Sequence, residues 1–280
     1  MGRLAAGLFL LVLLLGVCGS ASAAVPKLLF PVAGPVTYQD DFGAARSDGP
    51  PHPGNDLLGV KKTPVIAVES GTVKFWTTSA SAGCMLYLYG DSGTMYEYIH
   101  LNNDVTMKND NRGKCVAGMS YAKGLKDGQH VVAGQEIGYV GDSGDANGIA
   151  SHLHFEMHPK GGKAVDPYPF LQAAQHLLFF AKLGSPFALA LTGRVVDTTP
   201  TSVTLQLATL HSFPGTKTLK GLTQQVTLAT PTPVEVATGD SVTVWTQPAL
   251  TTLKAMLGQT LSVALVTAQK SSPGASRRMR

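Results

Sequence analysis

Two short stretches of this sequence combine side chains suited to a metal ion. His52-Pro53-Gly54-Asn55-Asp56 sets an imidazole and a carboxylate four residues apart in a Gly/Pro loop. His152-Leu153-His154 sets two imidazoles two residues apart. On a strand, alternate side chains share a face, so both would point the same way. A third imidazole, His100, ends the run Tyr98-Ile99-His100-Leu101. Two nitrogens and one carboxylate oxygen, with a fourth position left to water, make a catalytic zinc site. Such an ion lowers the pKa of its water towards ~7 and polarises a carbonyl oxygen, and a nearby imidazole can take the proton. A lone His-x-x-x-Asp is common by chance on surface loops. Spacing alone does not join the two stretches, nor does it tell which of His152 and His154 is ligand and which is base.

Such groups need a rigid frame, and the sequence supplies one. Short β-type runs at 65–68, 71–76, 85–89 and 95–99 are separated by turn residues. Regular short strands of this kind indicate an antiparallel sheet or sandwich. Residues 102–129 are polar and turn-rich and read as a long loop, a length usually functional or mobile. Strands resume at 130–132, 136–140 and 151–157, the last alternating polar and apolar. A helix is expected from Asp166-Pro167 to Lys182, broken by Gly184-Ser185-Pro186. Beyond it the composition shifts: residues 185–280 hold 19 threonines and only three acidic residues. Strands are expected there at 189–196, 202–208, 225–229, 233–237, 240–246 and 260–267.

The chain has 280 residues, which suits one large domain or two modest ones at roughly 150 residues each. With 44% hydrophobic and 14% charged residues it can bury a core; 31 Gly and 17 Pro favour a turn-rich β protein over a helical bundle. Arg3, the apolar run 4–17 and Ala21-Ser22-Ala23 have the layout of a secretory signal peptide cleaved after Ala23. The run has fourteen residues, too few for a bilayer span of about 20. Cys18 follows Val17, where a lipobox wants Gly, Ala or Ser, so lipidation is not expected. Export leaves Cys84 and Cys115, an even count that permits one disulfide and would tie the long loop to the sheet. Charge is uneven: residues 24–184 carry 13 basic and 15 acidic groups, residues 185–280 carry 8 and 3. This asymmetry points to two domains.

The surrounding motifs resemble a known family. Phe30-Pro31-Val32, Asp41-Phe42-Gly43, His52-Pro53-Gly54-Asn55-Asp56-Leu57, Thr63-Pro64-Val65-Ile66-Ala67-Val68, Gly71-Thr72-Val73 and Tyr98-Ile99-His100-Leu101 occur in order. Val132 to Gly141, Ser151-His152-Leu153-His154-Phe155-Glu156 and Val165-Asp166-Pro167 follow. The series, from about residue 30 to 171, resembles the lysostaphin/LytM-type zinc metallopeptidases of bacterial cell walls. The resemblance implies His52, Asp56 and His154 as ligands of one Zn2+ per chain. It implies His152 as the base, with His100 steadying the water or the developing oxyanion. It also implies a mainly β fold, an antiparallel sandwich or barrel-like domain of the duplicated hybrid motif type, that cleaves peptide stems or cross-bridges of peptidoglycan.

The expected organisation is a signal peptide (1–23), a zinc metalloendopeptidase domain (24–184), a small basic Thr-rich β domain (185–270) and a disordered tail (271–280). The expected protein is secreted or periplasmic, acts on peptidoglycan peptides, touches anionic wall polymers through its C-terminal domain, and has no nucleic-acid partner and no membrane span. A non-catalytic wall-binding protein or activator of other murein hydrolases on the same fold is the alternative; a zinc protease acting on proteins is a third. About twenty extra residues between 102 and 129 bear on the cleft wall. His130 and His158 match no ligand position and read as surface or cleft-edge residues. His176 falls on the expected helix and His211 in the second domain with no partner in view. Tyr87, Tyr89, Tyr96 and Tyr98 read as sheet packing, and Arg277, Arg278 and Arg280 as a solvated tail.

Overall fold

The computed structural model describes residues 27–47, 49–216 and 218–268. The expected signal peptide, Cys18 and the tail 271–280 lie outside the described residues. The strands expected before residue 160 form, joined by the short strands β1 and β2 near the N-terminal end of the described chain. In chain order they are β1 (Val36–Thr37), β2 (Asn55–Gly59), β3 (Pro64–Ile66), β4 (Gly71–Trp76), β5 (Cys84–Gly90), β6 (Thr94–Leu101), β7 (His130–Val131), β8 (Glu136–Tyr139) and β9 (His152–Pro159). Seven of them make one antiparallel sheet in the order β1-β2-β9-β6-β5-β4-β7, while β3 and β8 pair separately. The long strands β5 and β6 are joined by a turn at residues 91–93 and lie in the middle of the sheet. β9 is inserted between β6 and β2, and so brings distant parts of the chain side by side.

The core of this part packs Leu57, Leu86, Leu88, Leu153 and Phe155 against Val65 and Ile137 from the β3–β8 pair. Two of the buried tyrosines place their hydroxyls on backbone partners: Tyr98 accepts the Val68 N–H at 3.0 Å, and Tyr121 donates to the Met85 carbonyl at 3.0 Å. The stretch 102–129 is a loop as expected, but it is pinned. Cys84 and Cys115 form a disulfide. Lys61 bridges Asp104 and Asp142, and the other oxygen of Asp104 accepts the Asp110 and Asn111 N–H groups, each at 2.6 Å. Tyr121 and Leu125 then drop into the core.

After the helix α1 (Tyr168–Ala173), a second sheet is built from β10 (Pro186–Thr199), β11 (Ser202–Phe213), β12 (Thr218–Lys220), β13 (Gln225–Ala229), β14 (Ser241–Thr246), β15 (Ala249–Leu250) and β16 (Val263–Ala268). Its order is β12-β11-β10-β14-β16, with β13 on β11 and β15 on β10. A one-turn helix α2 (Leu253–Met256), capped by the Thr252 hydroxyl, closes over its apolar face. Strict alternation along β10 and β11 sends Leu189, Leu191, Val203 and Leu205 inward.

Four expectations need correction. The sheets are mainly β and antiparallel as expected, but neither closes: β1 and β7 are two-residue edges of the first, so the barrel-like element of that reading does not hold. The helix from 166 to 182 is one short helix of six residues. Leu29 and Gln175 form a parallel bridge, with Phe30 N–H donating to the Gln175 carbonyl and Gln175 N–H to Leu28. That pairing pulls the backbone straight, and Leu178 and Phe179 then enter the core of the second sheet. The apolar residues 177–181 pack on the core of the second sheet rather than stacking on one helix face. The stretch 233–237 also carries no strand, and the last strand starts at Val263.

Candidate metal centre

The register of β2 on β9 places Asp56 directly opposite His154 and Leu58 opposite His152. Opposed residues on neighbouring strands lie on one face with side chains in reach. His52 sits just before β2 on a loop held by two backbone bonds, Gly43 N–H to His52 O and His52 N–H to Ala44 O. Gly54 lets that loop lie flat on β9: a Cβ there would stand 2.4 Å from the Phe155 carbonyl oxygen and 2.9 Å from His154 Nε2.

The three expected ligands converge. His52 Nε2, His154 Nδ1 and Asp56 Oδ1 lie 2.9 to 3.2 Å from one another. The remaining ring nitrogens fix the tautomers. His52 Nδ1 lies 2.9 Å from the Asp41 carbonyl oxygen, and His154 Nε2 lies 3.0 Å from Glu156 Oε1. Both partners only accept, so those nitrogens carry hydrogens and the converging ones offer lone pairs. Two imidazole lone pairs and a carboxylate oxygen in one small triangle are satisfied by a cation between them, or without one by a proton on His154 Nδ1. The donor set, with its far ring nitrogens held by a carbonyl and a carboxylate, is one that could hold a metal ion. Burial would push the Asp56 carboxyl up, but the bonds from His154 and His52 hold it far below the usual carboxylate range. Burial likewise pushes His154 down, yet Asp56 and Glu156 prevail and lift it to about 9. The site thus favours positive charge where the three groups meet.

The two other motif histidines flank this triangle. His152 is buried, with Nδ1 2.9 Å from the Ala150 carbonyl and Nε2 3.7 Å from Asp56 Oδ1. His100 is also buried, with Nδ1 2.9 Å from the Ser143 carbonyl; its ring centroid lies 5.0 Å from that of His152. Burial and the neighbouring His152 push His100 down to about 4, so it is neutral near pH 7. It has φ +61°, the left-handed region, at the end of β6. Strain of this kind persists only where the surroundings over-determine it.

Two further groups were not singled out by sequence reasoning. Asp41 holds the frame: its oxygens take the Asn55 amide at 2.6 Å and the Asp56 N–H at 3.4 Å. Glu156 joins His154 to His158 at 2.8 Å, while Glu97, opposite Glu156 in register, stands 3.4 Å from His158. Both lie in quoted motifs or beside them; the signal for Glu156 is its i+2 spacing from His154. Burial, with Glu156 adding to it, pushes Glu97 up to about 7. The other histidines fall away from the centre. His130 pairs at the surface with Asp91, His176 stacks on Phe30 with centroids 4.1 Å apart, and His211 bonds the Thr218 hydroxyl.

A cavity of about 140 Å³ opens on the centre. Larger grooves, one of about 500 Å³ beside Ala122, Gly134 and Phe180, hold none of the motif histidines.

The family model of peptidase family M23 matches residues 50–167, a span that holds all five of these histidine and aspartate positions. The L-Ala–D-Glu endopeptidase of Bacillus subtilis is 29% identical over 153 residues, 51% of this chain and 42% of that protein. The chain thus spans about two fifths of that relative. Among solved structures, the catalytic domain of lysostaphin from Staphylococcus simulans is 27% identical with a TM-score of 0.37, covering 50% of this chain and 92% of that one. A zinc-containing peptidase from Vibrio cholerae is 23% identical with a TM-score of 0.35, covering 49% and 37%. Residues 50–167 thus match peptidase family M23, in line with the resemblance to the lysostaphin/LytM-type peptidases read from the sequence.

Proposed function

We propose that this protein is an exported, zinc-dependent endopeptidase that hydrolyses peptides of bacterial peptidoglycan. The observation that carries the reading is the triangle of His52 Nε2, His154 Nδ1 and Asp56 Oδ1, with every remaining ring hydrogen already committed. These three residues would hold one zinc ion, which supplies an acidified water and a Lewis acid for the scissile carbonyl. His152 keeps its Nδ1 hydrogen on the Ala150 carbonyl, leaving Nε2 to accept a proton and return it to the leaving amine. His100, neutral and anchored on Ser143, presents its Nε2 to the same space and orients the attacking water. The relative's L-Ala–D-Glu bond is the first one to test.

Residues 1–23 support export, and among the described residues no helix is long and apolar enough to cross a membrane. The basic excess expected to draw the C-terminal part to anionic wall polymers is not on its sheet. Arg194, Lys220 and Lys254 there are matched by Asp197, Glu235 and Asp240. The surplus comes from Lys217, Lys270, Arg277, Arg278 and Arg280, outside the described residues.

The test is mass analysis of fragments released from walls of defined cross-link, beside metal analysis. The wild type should release peptide fragments. His152→Ala should keep about one zinc per chain and lose ~10²–10⁴-fold in rate. A zinc-loaded wild type that binds walls but releases nothing would put the non-catalytic reading in its place.

A further inference from the structure

The cavity over the metal centre has one cationic side chain, and the arrangement of the centre leaves it without work. Arg46 lines that cavity together with Ser81, His100, Asp145, His154 and Glu156. It stands six residues before His52 on the loop whose roots are tied by Gly43, Ala44 and His52. The carboxylate on the cavity floor is engaged: Glu156 holds His154 at 3.0 Å and His158 at 2.8 Å. Asp145, at the rim, leans towards His100 at 3.6 Å. Among the described residues Arg46 has no carboxylate within 4.0 Å. A guanidinium presents a planar fork of donors that matches a carboxylate in two parallel hydrogen bonds. Placed beside the reacting centre rather than on it, the fork fits an anion carried by the substrate.

We infer that Arg46 is a specificity-determining residue that binds a free carboxylate of the peptide next to the scissile amide, so that the cleft selects acidic peptides. This rests on the peptidase reading above and adds to it a substrate class. An Arg46 that merely lay along the cavity wall would, across screening solvent, not strongly distinguish a carboxylate from the carboxamide of the same shape. The fork would, because the carboxamide loses the charge and one accepting oxygen.

The experiment uses the zinc-loaded full chain and two L-Ala–γ-D-Glu–L-Lys peptides, one with the free α-carboxylate and one with the α-carboxamide. Both kcat/KM for cleavage and Kd for the intact peptides are measured. In the wild type the free acid should be favoured by about 10–100-fold, the worth of one charge-assisted bidentate contact. In Arg46→Ala the ratio should fall to about one while zinc content stays at one per chain. Arg46→Lys, a point charge without the fork, should fall between. An Arg46→Ala protein that keeps the wild-type ratio, or a wild type with no preference in either readout, overturns the inference. If the wild type cleaves neither peptide, the scissile bond is not L-Ala–D-Glu, and the peptidase reading stands or falls on the wall digest described above. The Kd ratio and its response to Arg46→Ala then still decide whether the carboxylate is recognised.

Discussion

Strands β9 and β10 follow the same rule of polar and apolar alternation and meet opposite fates. Along β10, Phe187, Leu189, Leu191 and Val195 are buried while Ala188, Ala190, Thr192 and Arg194 between them stand towards solvent. Along β9 six successive residues are buried, so His152, His154 and Glu156 are as covered as Leu153, Phe155 and Met157. Burying imidazoles and a carboxylate is costly unless each is hydrogen-bonded, and here Asp56, Ala150 and His158 provide the partners. Polar alternation therefore does not by itself mark a solvent face. A polar face covered by further polar groups from other segments marks a site.

The contrast should break most visibly at His154. His154→Ala should cut zinc content to below about a tenth and wall hydrolysis by more than about 10³-fold, because one of three ligands is gone. Thr192→Ala, at an outward position of β10, should stay within about twofold in both. Metal analysis and a wall-turbidity assay read the pair.

The same distinction separates two ion pairs. Lys61 joins Asp104 and Asp142, whose side chains are 0% and 3% exposed. Lys61→Ala strands two buried carboxylates and should cost about 3–5 kcal/mol in urea unfolding. The pair Lys74–Asp127, at 50% and 44% exposure, lies on the surface, and Lys74→Ala should cost less than about 1 kcal/mol.

Glu97 sharpens the comparison through pH. Its ordinary value is 4.5, and burial with Glu156 opposite raises it to about 7. Folding therefore favours its protonated form, and the associated stability is full below pH 4.5 and lost as pH rises through about 7. Glu97→Gln should match the wild type at pH 4 and exceed it by about 1–2 kcal/mol at pH 8, in melts compared at the two pH values. The smallest effect is expected in the second sheet, where the hydroxyls of Thr192 and Thr243 meet at 2.9 Å across β10 and β14. Thr243→Val should shift stability by no more than about 1 kcal/mol.

The strands of the first sheet were legible because apolar runs such as 85–89 and 95–99 are short and bounded by glycine or asparagine turns. The three candidate ligands and the two flanking histidines were legible only as motifs. The convergence of His52 with His154 comes from β9 lying beside β2, which no local pattern encodes. Asp41 escaped because its work is done through backbone and amide contacts fourteen and fifteen residues away. The Lys61 triad spans separations of 43 and 81 residues, with nothing at either end to announce it. The misread helix has a different cause. Gln172 to Lys182 has helical composition, and tertiary packing against two separate cores overrides that propensity.

That overridden segment decides how the molecule can be divided. Gln175 is laced to Leu28 and Phe30 on one side, and three residues later Leu178 is immersed among the side chains of the second sheet. A cut at Gly184 would therefore strip Leu178 and Phe179 of their neighbours and leave them as a greasy stub on the N-terminal fragment. The sheet that carries the candidate metal centre and the β module behind it are not interchangeable cassettes joined by a slack tether. Recombination that preserved both would have to break the chain upstream of His176, inside a stretch that still serves the first partner.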